Sequence, residues 1–119
     1  MLKPVDVSTK NRLRVAEYLN TLDSRDFHMH YCTHCIAGHI NQKFLGRMNL
    51  TSENWQETKA AAARFLDLNE RDSDALFEPG RPVHSKFYSP EPGDAAKVMR
   101  HLAATDEVDW TLTARPPLR

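Results

Sequence analysis

Leu13, Ala16, Leu19 and Leu22 recur at every third residue with Val15 beside them, a spacing that lays one apolar stripe along an α-helix. Lys10, Arg12, Arg14 and Glu17 fall on the opposite side, and the hydroxyl of Ser8 or Thr9 suits a helix start. A helix from about residue 9 to 22 is predicted. The same period returns in Ile36, Ala37, Ile40 and Phe44, predicting a second helix over 33 to 44 or 45, with Gly46 as its left-handed stop. Trp55, Thr58, Ala62, Phe65 and Leu66 mark a third, capped by Thr51 or Ser52 and ending near 68–69. A short helix over 72–77 and a last one over 95–104, buried through Val98, Met99 and Leu102, complete the pattern. No stretch alternates apolar with polar residues around a hairpin turn. The fold class this implies is mainly α, a small irregular bundle of four to five helices.

At 119 residues, without repeat, low-complexity tract or Gly/Ser linker, the chain reads as one domain. The expected layout is a single helical domain over 1–110, with Val108 and Trp110 as its last anchor, and a frayed tail over 111–119. Four of the seven prolines, Pro79, Pro82, Pro90 and Pro92, gather in 79–93 and predict an ordered surface loop with a short extended piece over 83–88. Phe87 and Tyr88 in that loop are candidate partner contacts, since exposed aromatic residues anchor interfaces. Lidding the core is the competing role for the same two side chains.

Sixteen Lys plus Arg balance sixteen Asp plus Glu. A formal net charge of zero excludes a strongly basic nucleic-acid or membrane-surface binder, though not a local basic patch. No stretch approaches the ~18 apolar residues of a membrane span. Residues 1–7 lack the apolar run of a secretory signal, so the two cysteines are expected as reduced thiols or metal ligands in a cytoplasmic protein.

One segment is chemically dense. Residues 28–39 read His-Met-His-Tyr-Cys-Thr-His-Cys-Ile-Ala-Gly-His and hold four of the six histidines and both cysteines. Thiolate and imidazole ligands suit zinc, and a Cys-x-x-Cys turn brings two sulfurs toward one ion. Cys32, Cys35, His39 and His30 form the candidate set, with His28 or His34 as alternatives to His30. Against zinc, no distant second ligand pair exists. In the competing reading, Cys35 is a small buried hydrophobe, Cys32 a loop residue and the histidines partly exposed. The Cys-x-x-Cys spacing at a helix start also admits a redox role, but a thioredoxin-type site follows a β-strand, and here a helix and a polar turn precede it. Nucleophilic hydrolysis lacks any recognisable oxyanion-hole or orienting group.

Residues 61–77 have the rhythm of a helix-turn-helix. Its second helix would set Glu70, Asp72, Asp74 and Glu78 against one base, Arg71, which repels a polyanion. DNA binding is therefore disfavoured.

The blocks Cys-Ile-Ala-Gly-His (35–39), Ala-Arg-Phe-Leu-Asp-Leu (63–68), Ala-Leu-Phe (75–77) and Asp-Ala-Ala-Lys-Val-Met-Arg-His-Leu-Ala-Ala-Thr-Asp-Glu-Val-Asp-Trp (94–110) resemble a group of small bacteriophage- and prophage-encoded proteins of unassigned function. The group's pattern is a Cys-Gly-Thr-x-x-Cys-Ile-Ala-Gly block, a Phe-Leu-Gly-Leu block, a Leu-Phe and a closing Val-Asp-Trp. This chain departs from it at His30 and Cys32, which stand at the group's first cysteine and its threonine, and at Asp106, which replaces a glycine. The resemblance implies an intracellular helical protein of phage type and transfers no catalytic residue. By class, it suggests an accessory protein that is not an enzyme and binds a host or phage protein, stabilised by zinc if the cluster holds it. Pairing with a second copy is a further way to cover apolar surface near Trp55 and Trp110.

Overall fold

The computed structural model describes residues 7–29, 31–79 and 90–113. Its five α-helices are α1 (Val7–Leu19), α2 (Ile36–Phe44), α3 (Trp55–Leu66), α4 (Glu70–Phe77) and α5 (Pro92–Thr105), and the described residues include no strand. α1 lies along α5 and against α3, while α2 and α4 pack on α3. The core draws Val15, Ala16 and Leu19 from α1, Ile36 and Ile40 from α2, and Leu66 from α3. Leu76, Phe77, Val98, Met99 and Leu102 close it. Ala62, Ala95 and Ala96 are fully buried, and their small side chains let the helix axes approach closely.

Each helix end has a local cause. Asn69 accepts the Asp72 N–H at 2.8 Å and starts α4 two residues before its predicted position. Pro92 sits in the first turn of α5, where its missing N–H costs nothing, and Asp94 accepts the Glu91 N–H at 2.9 Å. The helix therefore begins three residues before the predicted 95. α3 and α5 both end on aspartates in the left-handed region, Asp67 (φ 56°) and Asp106 (φ 66°), and Gly46 (φ 67°) follows α2 as expected. Asp106 thus adopts the backbone that a glycine would take there.

α1 corrects the predicted apolar face. Leu13 is 44% exposed, whereas Arg12, assigned from sequence to the solvated face, is 5% exposed. The buried stripe runs through Arg12, Val15, Ala16 and Leu19. Arg12 is tolerated inside because its guanidinium donates to the Leu66, Asp67 and Leu102 carbonyls and to Asp106 Oδ1.

Beyond α5, Trp110–Thr113 forms a 3-10 turn against that helix. Trp110 Nε1 donates to the Ala75 carbonyl at 3.0 Å and Thr113 is buried. The predicted tail of 111–119 thus has its first three residues in this turn; 114–119 lie outside the described residues, as does most of the predicted 79–93 loop, at 80–89.

Candidate functional site

The Cys/His segment folds back on itself before α2 begins. His28 N–H donates to the His34 carbonyl at 3.0 Å, Tyr31 N–H to that of His28 at 3.2 Å, and Cys35 N–H to that of Tyr31 at 2.9 Å. Extended backbone at Cys35 (φ −81°, ψ 176°) delays the helix to Ile36, three residues past its predicted start. Here the sulfur replaces the usual cap oxygen: Cys35 Sγ accepts the Gly38 N–H at 3.4 Å. A Cβ built on Gly38 would lie 2.2 Å from the Cys32 carbonyl oxygen, so only glycine lets the turn sit on α2. Gln42 ties the two together, donating to the carbonyls of Thr33 at 2.5 Å and Gly38 at 3.2 Å.

This geometry gives the candidate ligands other work. Cys35 is 1% exposed, and burial pushes its thiol up to about 11, away from the reactive thiolate of a redox cysteine. His39 Nε2 lies 2.8 Å from the Asp26 carbonyl, which can only accept, so that nitrogen carries the proton. Its ring stacks on Phe27 and meets Tyr18 edge-on. Burial moves the His39 pKa below its ordinary value. His34 Nδ1 is 2.7 Å from the Thr33 hydroxyl, and His28 stacks on the exposed Tyr31 at 4.2 Å. Among the described residues no three His, Cys, Asp or Glu side chains converge as a metal-holding group. Cys32, half-buried, Cys35 and His39 are thus not gathered around a common centre, and His30 lies outside the described residues. Phe87 and Tyr88 lie outside them too.

A different feature emerges from the tertiary fold. An open trough of about 680 Å³ runs between the end of α2 and the outer face of α3. Its apolar lining is Leu45, Ala60, Ala61 and Phe65, and its charged lining is Arg47, Glu57 and Arg64. Arg47 is anchored: it donates to Asn41 Oδ1 at 3.0 Å and pairs with Glu57 at 3.6 Å. Asn41 is itself fully buried and donates to the Thr58 carbonyl at 2.9 Å, joining α2 to α3. Arg64 is exposed and has no carboxylate partner among the described residues. From the trough, Phe65 stacks on Phe44 at 5.4 Å, and the Arg14 guanidinium lies 5.1 Å from the Phe44 ring centroid. Lys43 lies 5.5 Å from the Tyr18 ring. Sequence spacing could not assemble this surface, because Arg47 and Arg64 are brought together only by the packing of α2 on α3. The local signal available was the run Lys43-Phe44-Leu45-Gly46-Arg47, where bases flank large apolar residues.

The predicted helix-turn-helix segment is occupied internally. Lys59 of α3 is held between Asp74 and Glu78 of the α4 end, and Glu78 also accepts from Trp55 Nε1 at 3.4 Å. No described helix is long and apolar enough to cross a membrane. Compared with protein-family models, curated proteins and solved structures, the chain finds no match.

Proposed function

We propose that this chain is a small helical accessory protein of phage or prophage type that acts in the bacterial cytoplasm by binding a host or phage protein. The observation that carries the reading is the trough beside α3, an apolar lining left open on a molecule whose other helix stripes are buried against one another. The Cys/His segment supports it indirectly. The Cys35 thiol caps α2, and the described imidazoles of His28, His34 and His39 stack or hydrogen-bond within the fold. The resemblance of residues 35–39, 63–68, 75–77 and 94–110 to the phage-encoded group supports the cellular setting.

Photo-crosslinking tests the reading in a bacterial host. A photoreactive residue is placed in turn at the exposed positions Leu13, Tyr31, Ala60 and Leu112. Discrete covalent adducts with a protein, dependent on position, are expected. The absence of adducts at all four positions would overturn it.

A further inference from the structure

Resting on the reading that this chain binds a protein, we infer that the trough between α2 and α3 receives an acidic amphipathic helix of the partner.

Its shape sets the kind of element. Glu57, Ala60, Ala61 and Arg64 follow one another at i, i+3, i+4 and i+7, the face on which a helix packs against another helix. Ala60 is exposed and Ala61 lines the trough, so nothing bulky keeps an incoming backbone away. From Glu57 to Phe65 the face is about 12 Å long, roughly two turns of a docked helix. No strand edge exists among the described residues to receive an extended peptide by sheet addition.

Charge sets its chemistry. Arg47 and Arg64 line the trough; Arg14 lies over Phe44, which stacks on Phe65 of the lining, and Lys43 lies over Tyr18. The lining itself carries two cations, Arg47 and Arg64, and one carboxylate, Glu57, already paired with Arg47. A docked helix with Leu or Phe along one stripe and Asp or Glu beside it buries its apolar residues on Leu45 and Phe65 and supplies a carboxylate to Arg64, which has none among the described residues. Of the chain's own segments outside the described residues, 80–89 and 114–119 each carry two bases and no acidic side chain, and 1–6 sets Lys3 against its one acid, Asp6. A nucleic acid would match the cations but leave the alanine and leucine lining uncovered.

The probe is a random 16-residue peptide library displayed against the intact chain. Enriched peptides are expected to carry large apolar residues at three- and four-residue spacing with Asp or Glu between them. The best synthetic peptide should lose about tenfold or more in affinity against Arg64→Glu and against Ala60→Trp, two exposed positions; Ala60→Trp should melt at the parent temperature, and Arg64→Glu, which sets an acid in the last turn of α3, a few degrees lower while still unfolding cooperatively. Raising salt should weaken it, and changing its acids to lysine should abolish binding to the parent. Four outcomes overturn the inference. They are no enriched peptide, enriched peptides without acidic residues, binding indifferent to both variants, and a trough taken instead by duplex DNA or by a second copy, seen as a complex or dimer that Arg64→Glu dissolves. Peptides that bind indifferently to both variants would remove this trough while leaving the protein-binding reading in place, and the crosslinking adducts decide that reading separately.

Discussion

Arg12 Nε donates to the Leu66 carbonyl at 3.0 Å, so a guanidinium on α1 closes the last turn of α3. The same group reaches the Asp67 carbonyl at 3.2 Å and, on α5, the Leu102 carbonyl and Asp106 Oδ1 at 3.4 and 2.5 Å. Two helices thus end on one cation, at the pole of each where carbonyl oxygens gather partial negative charge.

The partners of Arg12 should contribute unequally. Arg12→Ala leaves several helix-end carbonyls short of a donor inside the fold, and the loss should be about 3 kcal/mol, near 10 °C in melting temperature. Asp106 is 79% exposed, so water screens its half of the pair and Asp106→Asn should cost below about 1 kcal/mol. Arg12→Lys should recover only part, because an ammonium cannot fork across two helix ends. Thermal unfolding of the three variants checks the order; equal losses for Arg12→Ala and Asp106→Asn would place the energy in the ion pair instead.

Gly38 and Gly93 predict opposite signs for the same substitution. Alanine favours a helix over glycine by about 1 kcal/mol, and at Gly93 none of the described residues lies within 4 Å of the added Cβ. Gly93→Ala should stabilise by a few tenths to about 1 kcal/mol. At Gly38 the Cβ meets backbone, the Cys32 carbonyl oxygen at 2.2 Å and the Thr33 carbonyl carbon at 2.9 Å, which no rotamer change relieves. The overlap forces the 31–34 turn off α2 at about 2–3 kcal/mol, more than the propensity gain returns. Denaturant midpoints of the two variants should therefore move apart, and a stabilised Gly38→Ala would show that the turn gives way freely.

The contrast between these glycines shows what a linear reading can hold. Helix positions were legible because a 3.6-residue period in Ile36, Ala37, Ile40 and Phe44 has one geometric solution. Arg12 was misplaced because a charged side chain is ordinarily solvated, and only the meeting of two helix C-termini makes its burial favourable. Pro92 hid three residues of α5, since prolines near a loop read as loop even where the first helical turn accepts them. The density of residues 28–39 was plain, but whether Cys35 points to a metal or caps a helix depends on one ψ angle. Arg47 and Arg64 carry no sequence signal as a pair.

Cys35 makes stability fall at alkaline pH. Its folded pKa, about 11, stands above the ordinary 9.0, so the folded protein holds a proton that the unfolded chain releases first. The contribution is intact below pH 9 and is lost as pH rises toward 11, by about 2–3 kcal/mol in all. Cys35→Ser keeps a cap acceptor and has no thiol to ionise; its unfolding free energy should be within about 1 kcal/mol of the parent at pH 7 and should lack that part of the alkaline slope. In the same protein, Cys32, half-buried, should react with a thiol reagent at pH 8 well before Cys35. Simultaneous labelling of both would mean that the cap opens readily.

His39 acts at the other end of the pH scale. Burial lowers its folded pKa below 6.5, so as pH falls through 6.5 the unfolded chain takes up a proton that the folded protein resists. Stability should hold above pH 6.5 and decline below it, until the folded His39 also protonates. Nε2 already donates to the Asp26 carbonyl, and the ring lies against Phe27 and Tyr18, so an added charge gains no carbonyl acceptor from that contact and sits among aromatic faces. His39→Gln retains an N–H that can reach the Asp26 carbonyl while removing the titration. Urea midpoints between pH 7.5 and 5 should fall less steeply for His39→Gln than for the parent; parallel slopes would assign the acid sensitivity to other groups and leave His39 as packing alone.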